Sequence, residues 1–142
     1  GIYFPWTNDP ENVSDNFTVQ HQTIVPFSAA GDPSGATTLA FLGSATNGNS
    51  SGTATIHYYD GSTQTFTLGM TDWTLNGNKA QPAFGNNVVV TMPYRNTRDG
   101  QQDLNNYLFF AQVALQKSKT VTTVTLPATI GGTMHIFAHV IQ

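Results

Sequence analysis

Between Thr53 and Leu68 apolar and polar residues alternate with a period of two. Ala54, Ile56, Tyr58, Phe66 and Leu68 share one side of the register, and Thr53, Thr55, His57, Thr65 and Thr67 share the other. That period belongs to strands with one face on a core, and Asp60-Gly61 between them predicts a tight two-residue hairpin with positive φ at both turn residues. Further turn signals recur at short intervals: Asn8-Asp-Pro, Gly31-Asp-Pro, Asn47-Gly-Asn, Asn76-Gly-Asn, Gly85-Asn-Asn, Asp99-Gly and Gly131-Gly. They divide the chain into strands expected over 2–6, 22–28, 38–43, 53–59, 63–69, 87–92, 106–115, 120–126 and 132–141. The run 107–115 is apolar on both faces, which argues for a central strand covered on each side. Val121 is out of phase with Val124 and Leu126, and a bulge near Thr122-Thr123 restores the pattern. In the last strand Met134, Ile136, Ala138 and Val140 share one face. No segment has helical periodicity. The fold class is therefore all-β: an antiparallel, jelly-roll-like β-sandwich of about 8–9 strands.

Composition narrows the classes of partner. The 142 residues suit one domain, read here as a single β-sandwich module over 1–142. Only 9% of residues are charged, against about 25% in an ordinary globular chain; Thr, Asn, Ser, Gln and Gly carry the polar surface, as in many secreted β-proteins. The net charge is −3, and Lys79, Arg95, Arg98, Lys117 and Lys119 are too scattered to form a basic stripe, so nucleic acid is not an expected partner. No apolar run reaches the roughly 18 residues a membrane helix needs, and no membrane partner is expected. Without cysteine there is no thiolate metal site. The chain reads as the mature or excised part of an exported protein.

The four histidines do not make a zinc centre by spacing. On one strand His135 and His139 stand roughly 13 Å apart, too far to share an ion. Asn8, Asp9, Glu11, Asp15 and Asn16 place hard oxygens in one loop, the donor type calcium takes; Asp9, Glu11 and Asp15 are the candidate ligands of a structural calcium, against the plainer reading of a solvated turn. No other cofactor is expected. Gly48-Asn-Ser-Ser-Gly matches a nucleophile elbow by letter, but a strand follows it where that motif needs a helix. Glycoside hydrolysis needs a pair of carboxylates; Glu11 is the only Glu, and Asp32, Asp60 and Asp99 hold turn positions. No catalytic residue is assigned.

The segments Leu39 to Asn47, Ser51 to Trp73, Met92-Pro-Tyr-Arg-Asn-Thr and Gly132-Thr-Met-His-Ile-Phe-Ala resemble a β-sandwich module appended to secreted bacterial glycoside hydrolases, such as multidomain enzymes of the family 92 α-mannosidase type. The resemblance covers nearly the whole chain and implies an accessory, carbohydrate-binding-like module with no catalytic centre. Its partners would be a poly- or oligosaccharide and the catalytic domain of the parent enzyme, and its location extracellular. That family opens with a Gly- and Ser-rich strand that has no counterpart here, which implies a module lacking its first strand and a sheet edge left for another segment or chain.

Sugar binding in such sandwiches uses a flat aromatic face for the C–H surface of the ring and planar polar groups for its hydroxyls. Thr71-Asp-Trp-Thr and Pro93-Tyr-Arg-Asn each supply that set in a loop, so Trp73, Tyr94, Arg95, Asp72 and Asn96 are the candidate carbohydrate-binding residues. The competing reading puts Trp73 in the core and pairs Arg95 with loop carbonyls, Asp72 or Asp99. Tyr3, Trp6, Tyr59 and His57 are secondary candidates, with packing or cross-strand pairing as the alternative. The rival to a lectin-like role is a structural or spacer domain of a multidomain secreted enzyme, with no sugar affinity; a standalone enzyme is a third possibility.

Overall fold

The computed structural model describes residues 1–5, 10, 13–28 and 34–142. Among them the strands are β1 Phe17–Thr18, β2 Thr23–Ile24, β3 Phe27–Ser28, β4 Thr38–Tyr58, β5 Thr63–Met70, β6 Asn87–Met92, β7 Arg95–Thr97, β8 Gly100–Gln102, β9 Asn106–Ala114, β10 Val121–Thr125 and β11 Ile130–Ile141. One helical turn, α1 Leu75–Asn78, completes the regular structure. The fold is an antiparallel, sandwich-like all-β architecture, with the short parallel contact of β3 on β11 as the exception.

The 21-residue β4 organises it. Along one edge β4 pairs with β9 through Thr38–Gly43 and then with β5 through Ser50–His57. Along the other edge it pairs with β11 from Leu39 to Ser51 and then with β10 from Thr55 to Tyr58. Its two halves thus belong to two layers, β6-β9-β4-β11 and β5-β4-β10-β2. Asn47-Gly-Asn, expected to be a turn, does not reverse the chain. Asn47 and Gly48 take φ of 61° and 102° inside the strand, and three residues, Asn47 to Asn49, stand against Gly132 alone. Across this irregularity the inward set changes from Leu39, Phe41 and Ala45 to Ala54, Ile56 and Tyr58, all buried. Gly131 and Gly132 permit this, since a Cβ on Gly132 would stand 2.2 Å from the Gly48 carbonyl oxygen.

The buried set Leu39, Phe41, Ala54, Ile56, Tyr58, Leu68, Met70, Val124, Leu126, Met134, Ile136 and Ile141 forms one core, with Phe66 partly buried against Phe41. The inward residues expected in the hairpin are found there, whereas the expected β11 face of Met134, Ile136, Ala138 and Val140 is broken: the register shifts between Ile136 and Ala138, and Ile141, expected on the opposite face, joins Met134 and Ile136 in the core. The β10 bulge falls between Val121 and Thr123 as expected, and β9 lies between β4 and β6.

Three further expectations fail. Residues 2–5 form no strand; instead Phe4 packs edge-on against Phe110 at 6.2 Å. The segment 22–28 is broken by Pro26, which has no N–H to donate, so β2 joins β10 while β3 joins β11. The 53–68 hairpin has a four-residue connection with positive φ at Gly61 alone, because the Tyr58 carbonyl accepts from the Gly61 N–H and Asp60 turns its side chain onto the Ser62 N–H and hydroxyl. The Asp60 carboxyl is thereby held down at about 2, chiefly by its Ser62 hydrogen bonds and then by Lys119 at 3.0 Å.

Candidate functional site

The polar residues after β5 build the site. Strand β5 ends at Met70, and the next residues cross to the first half of β4. The Ala45 N–H donates to the Thr71 carbonyl, and the Trp73 N–H donates to the Ala45 carbonyl. The Trp73 carbonyl accepts from the Tyr107 N–H, which ties it to β9 as well. Trp73 is thus positioned from both sides of its backbone, with its indole half-buried at one end of the sandwich.

Beyond β6, Pro93 and Tyr94 lead into the β7-β8 hairpin, closed through Thr97 and Gly100. Arg95 opens β7 and faces Gln102 on β8, and its Nε donates to Gln102 Oε1 at 2.6 Å. The guanidinium lies over the indole of Trp73, with Cζ 5.0 Å from the ring centroid. Trp73, Met92, Pro93, Tyr94, Arg95, Asn96 and Asn106 line a cleft of about 350 Å³. Its walls are mostly apolar; the Tyr94 ring is 46% exposed, enough to offer a face to a ligand. Asn106 is buried, donates from Nδ2 to the Leu104 carbonyl, and leaves Oδ1 with no hydrogen-bond partner among the described residues. A buried acceptor without a donor costs free energy.

Four of the five candidate residues, Trp73, Tyr94, Arg95 and Asn96, therefore meet at one cleft. Asp72 does not. Its Oδ2 accepts from the Gly48 N–H at 2.9 Å and its Oδ1 from the Thr74 N–H and hydroxyl, on the side facing the β4 bulge. Burial alone would raise the Asp72 carboxyl, but hydrogen bonds from the Thr74 hydroxyl and from the Gly48, Thr74 and Asn76 N–H groups outweigh it and hold it below the usual range. Asp72 thus anchors the loop that carries Trp73. It also steadies α1, where all four residues from Leu75 to Asn78 take positive φ. Neither expected partner of Arg95, Asp72 or Asp99, binds it; the indole and Gln102 do. Trp73 is also not the open platform expected, since Arg95 covers one face of it.

Met92, Gln102 and Asn106 escaped the sequence reading of the site. Gln102 was within reach, because the Asp99-Gly100 turn signal places it opposite Arg95. Asn106 had no such signal.

Of the secondary candidates, Tyr3 and Tyr59 are 71% and 84% exposed and far more open than a cross-strand pair requires. His57 bonds Thr125 Oγ1 at 2.9 Å. Trp6, and the calcium candidates Asp9 and Glu11, lie outside the described residues. Asp15 accepts from Asn16 at 3.2 Å, and no cluster of three metal-ligating His, Asp or Glu occurs among the described residues. His135 contacts Asn16 and Thr46, while His139 lies edge-on to Phe17 with its Nδ1 buried and without a hydrogen-bond partner among the described residues. Ser50, the letter-match nucleophile, is fully buried within β4.

A second depression, of about 650 Å³, is apolar throughout: Ile2, Phe4, Leu42, Val89, Val90, Leu108 and Phe110. It borders β6, whose every residue is exposed and uncharged. A scan against family models and a search of curated proteins find no match for the chain.

Proposed function

We propose that this chain is a noncatalytic carbohydrate-binding module that holds an attached secreted hydrolase near its glycan substrate. The observation that carries the reading is the convergence of an exposed phenol, a guanidinium propped on an indole and a side-chain amide around one cleft at the end of a rigid sandwich. In this arrangement Tyr94 takes the C–H face of a sugar ring, Trp73 forms the back wall and holds Arg95, and Arg95 and Asn96 bond the hydroxyls. Ring stacking of this type contributes about 1–3 kcal/mol per ring in the analogous nucleobase case. Resemblance to accessory modules of secreted glycoside hydrolases supports the assignment of the attached partner. Affinity electrophoresis of the purified chain through a panel of soluble polysaccharides tests it: retardation on at least one, abolished in Tyr94→Ala with an unchanged Tm, is the expected result. Free migration through every polysaccharide removes the reading.

A second reading has its own observation. Strand β6 presents Val88, Val89, Val90 and Met92, each 41–50% exposed, along an outer edge that β9 does not cover. Uncharged apolar edges of this kind are normally shielded. They favour a structural module that packs against a neighbouring domain, and a chain that binds no sugar while associating tightly with that domain would establish it in place of the first.

A further inference from the structure

We infer that the ring this cleft selects is a hexuronic acid, bound through its carboxylate by Arg95; the inference rests on the carbohydrate-binding reading and specifies its ligand class. Among the described residues Arg95 is the one charged residue lining the cleft, and no carboxylate lines it. Asp72 is engaged by Gly48 and Thr74 and Asp103 by Gln101 Nε2 at 2.9 Å, and Asp99, at the tip of the β7-β8 hairpin, is not among the residues that line the cleft. The guanidinium is nevertheless held in place. Trp73 supports its face at 5.0 Å and Gln102 takes its Nε, which removes one of the two side-on donors, while Nη1 and Nη2 have no acceptor among the described residues.

An arginine fixed at its face and its Nε presents the end-on fork, whose two parallel N–H groups match the two oxygens of a planar carboxylate. Partial burial beside the indole strengthens such a bond over one made in open water. A neutral sugar offers the fork only hydroxyls, which match it less well. The exposed Tyr94 ring then takes the face of the same sugar. No covalent step is involved.

The net charge of −3 sharpens the test, because the field of the whole molecule repels polyanions. A preference for an acidic polymer therefore reports the site itself. Polygalacturonate, polymannuronate and polyglucuronate are compared with their methyl esters, which keep the ring and remove the charge, and with dextran sulfate. Wild-type chain is expected to bind at least one uronate about tenfold more tightly than its ester and than dextran sulfate. Arg95→Gln should erase that difference, and Arg95→Lys, which keeps the charge and loses the fork, should erase most of it. Equal binding of acid and ester overturns this inference and leaves the carbohydrate-binding reading standing. No retention on these or on a panel of neutral glycans overturns both. Equal or tighter binding of dextran sulfate shows an anion site without carboxylate selection and overturns the assignment. Acid and ester are compared on the wild-type chain, so the result stands even if a variant fails to fold.

Discussion

Replacing Gly132 by Ala tests whether the β4 bulge holds the site together. The new Cβ would sit 2.2 Å from the Gly48 carbonyl oxygen and 2.3 Å from that of Thr46, where real Cβ contacts stay beyond 3.0 Å. Both neighbours are backbone atoms of the bulge, so relief requires the strand itself to retreat by roughly 0.8 Å, with no flexible side chain to absorb the strain. Overpacking of well-fitted interiors costs about 1–3 kcal/mol. With two carbonyls to displace, a loss of about 2–3 kcal/mol is expected, a fall in Tm of roughly 5–15 °C for a chain of this size. The displacement also pulls Gly48 away from Asp72, and through Asp72 it disturbs the loop that carries Trp73. Urea unfolding followed by tryptophan fluorescence gives the stability change, and amide exchange at Gly48 reports the bond to Asp72. A variant within about 0.5 kcal/mol of wild type, or one that is destabilised while Gly48 stays fully protected, would refute the reasoning.

Truncating Phe109, fully buried in β9, should cost about 3–5 kcal/mol, whereas Trp73→Ala, at a half-buried ring, should cost less than half as much; equal losses by urea denaturation would return Trp73 to the core. Burial holds the His135 and His139 imidazoles below the usual 6.5. The unfolded chain then binds more protons than the folded one below about pH 6.5, so stability should fall as pH is lowered from 6.5 toward 5 and stay flat above it. A flat profile from pH 7.5 to 5 would contradict this, and His139→Gln should reduce the slope. Asp60 acts in a separate window: its folded value of about 2 lies below the unfolded 3.8, so its contribution is complete above about pH 4 and lost as pH falls through about 2. Val89→Lys, at a 50% exposed position of β6, should suppress aggregation on heating with stability unchanged within about 0.5 kcal/mol; undiminished aggregation by light scattering would show that the edge is not the contact.

Much of this protein is written in local pattern. The period of two placed β5, β6, β9, β10 and β11 within a few residues and named the inward residues of the 53–68 hairpin, because a strand with one buried face must alternate whatever it packs against. The Thr122-Thr123 bulge was legible for the same reason: a phase error between Val121 and Val124 can be corrected in few ways. Trp73, Tyr94, Arg95 and Asn96 could be nominated as aromatic and planar polar residues in loops. Tertiary structure decided the rest. Asn47-Gly-Asn has turn chemistry, yet it continues a strand because Gly131 and Gly132, far along the chain, leave room for the extra backbone. Pro26 splits one predicted strand between two layers, a choice set by which neighbours have free edges. Asp72 and Trp73 are adjacent in sequence but face opposite ways, one onto the β4 bulge and the other beneath Arg95, because the bonds that orient them come from β4 and β9. Alternation is a property of neighbouring residues and survives in any sequence, whereas partners distant along the chain are chosen by the closure of the two sheets.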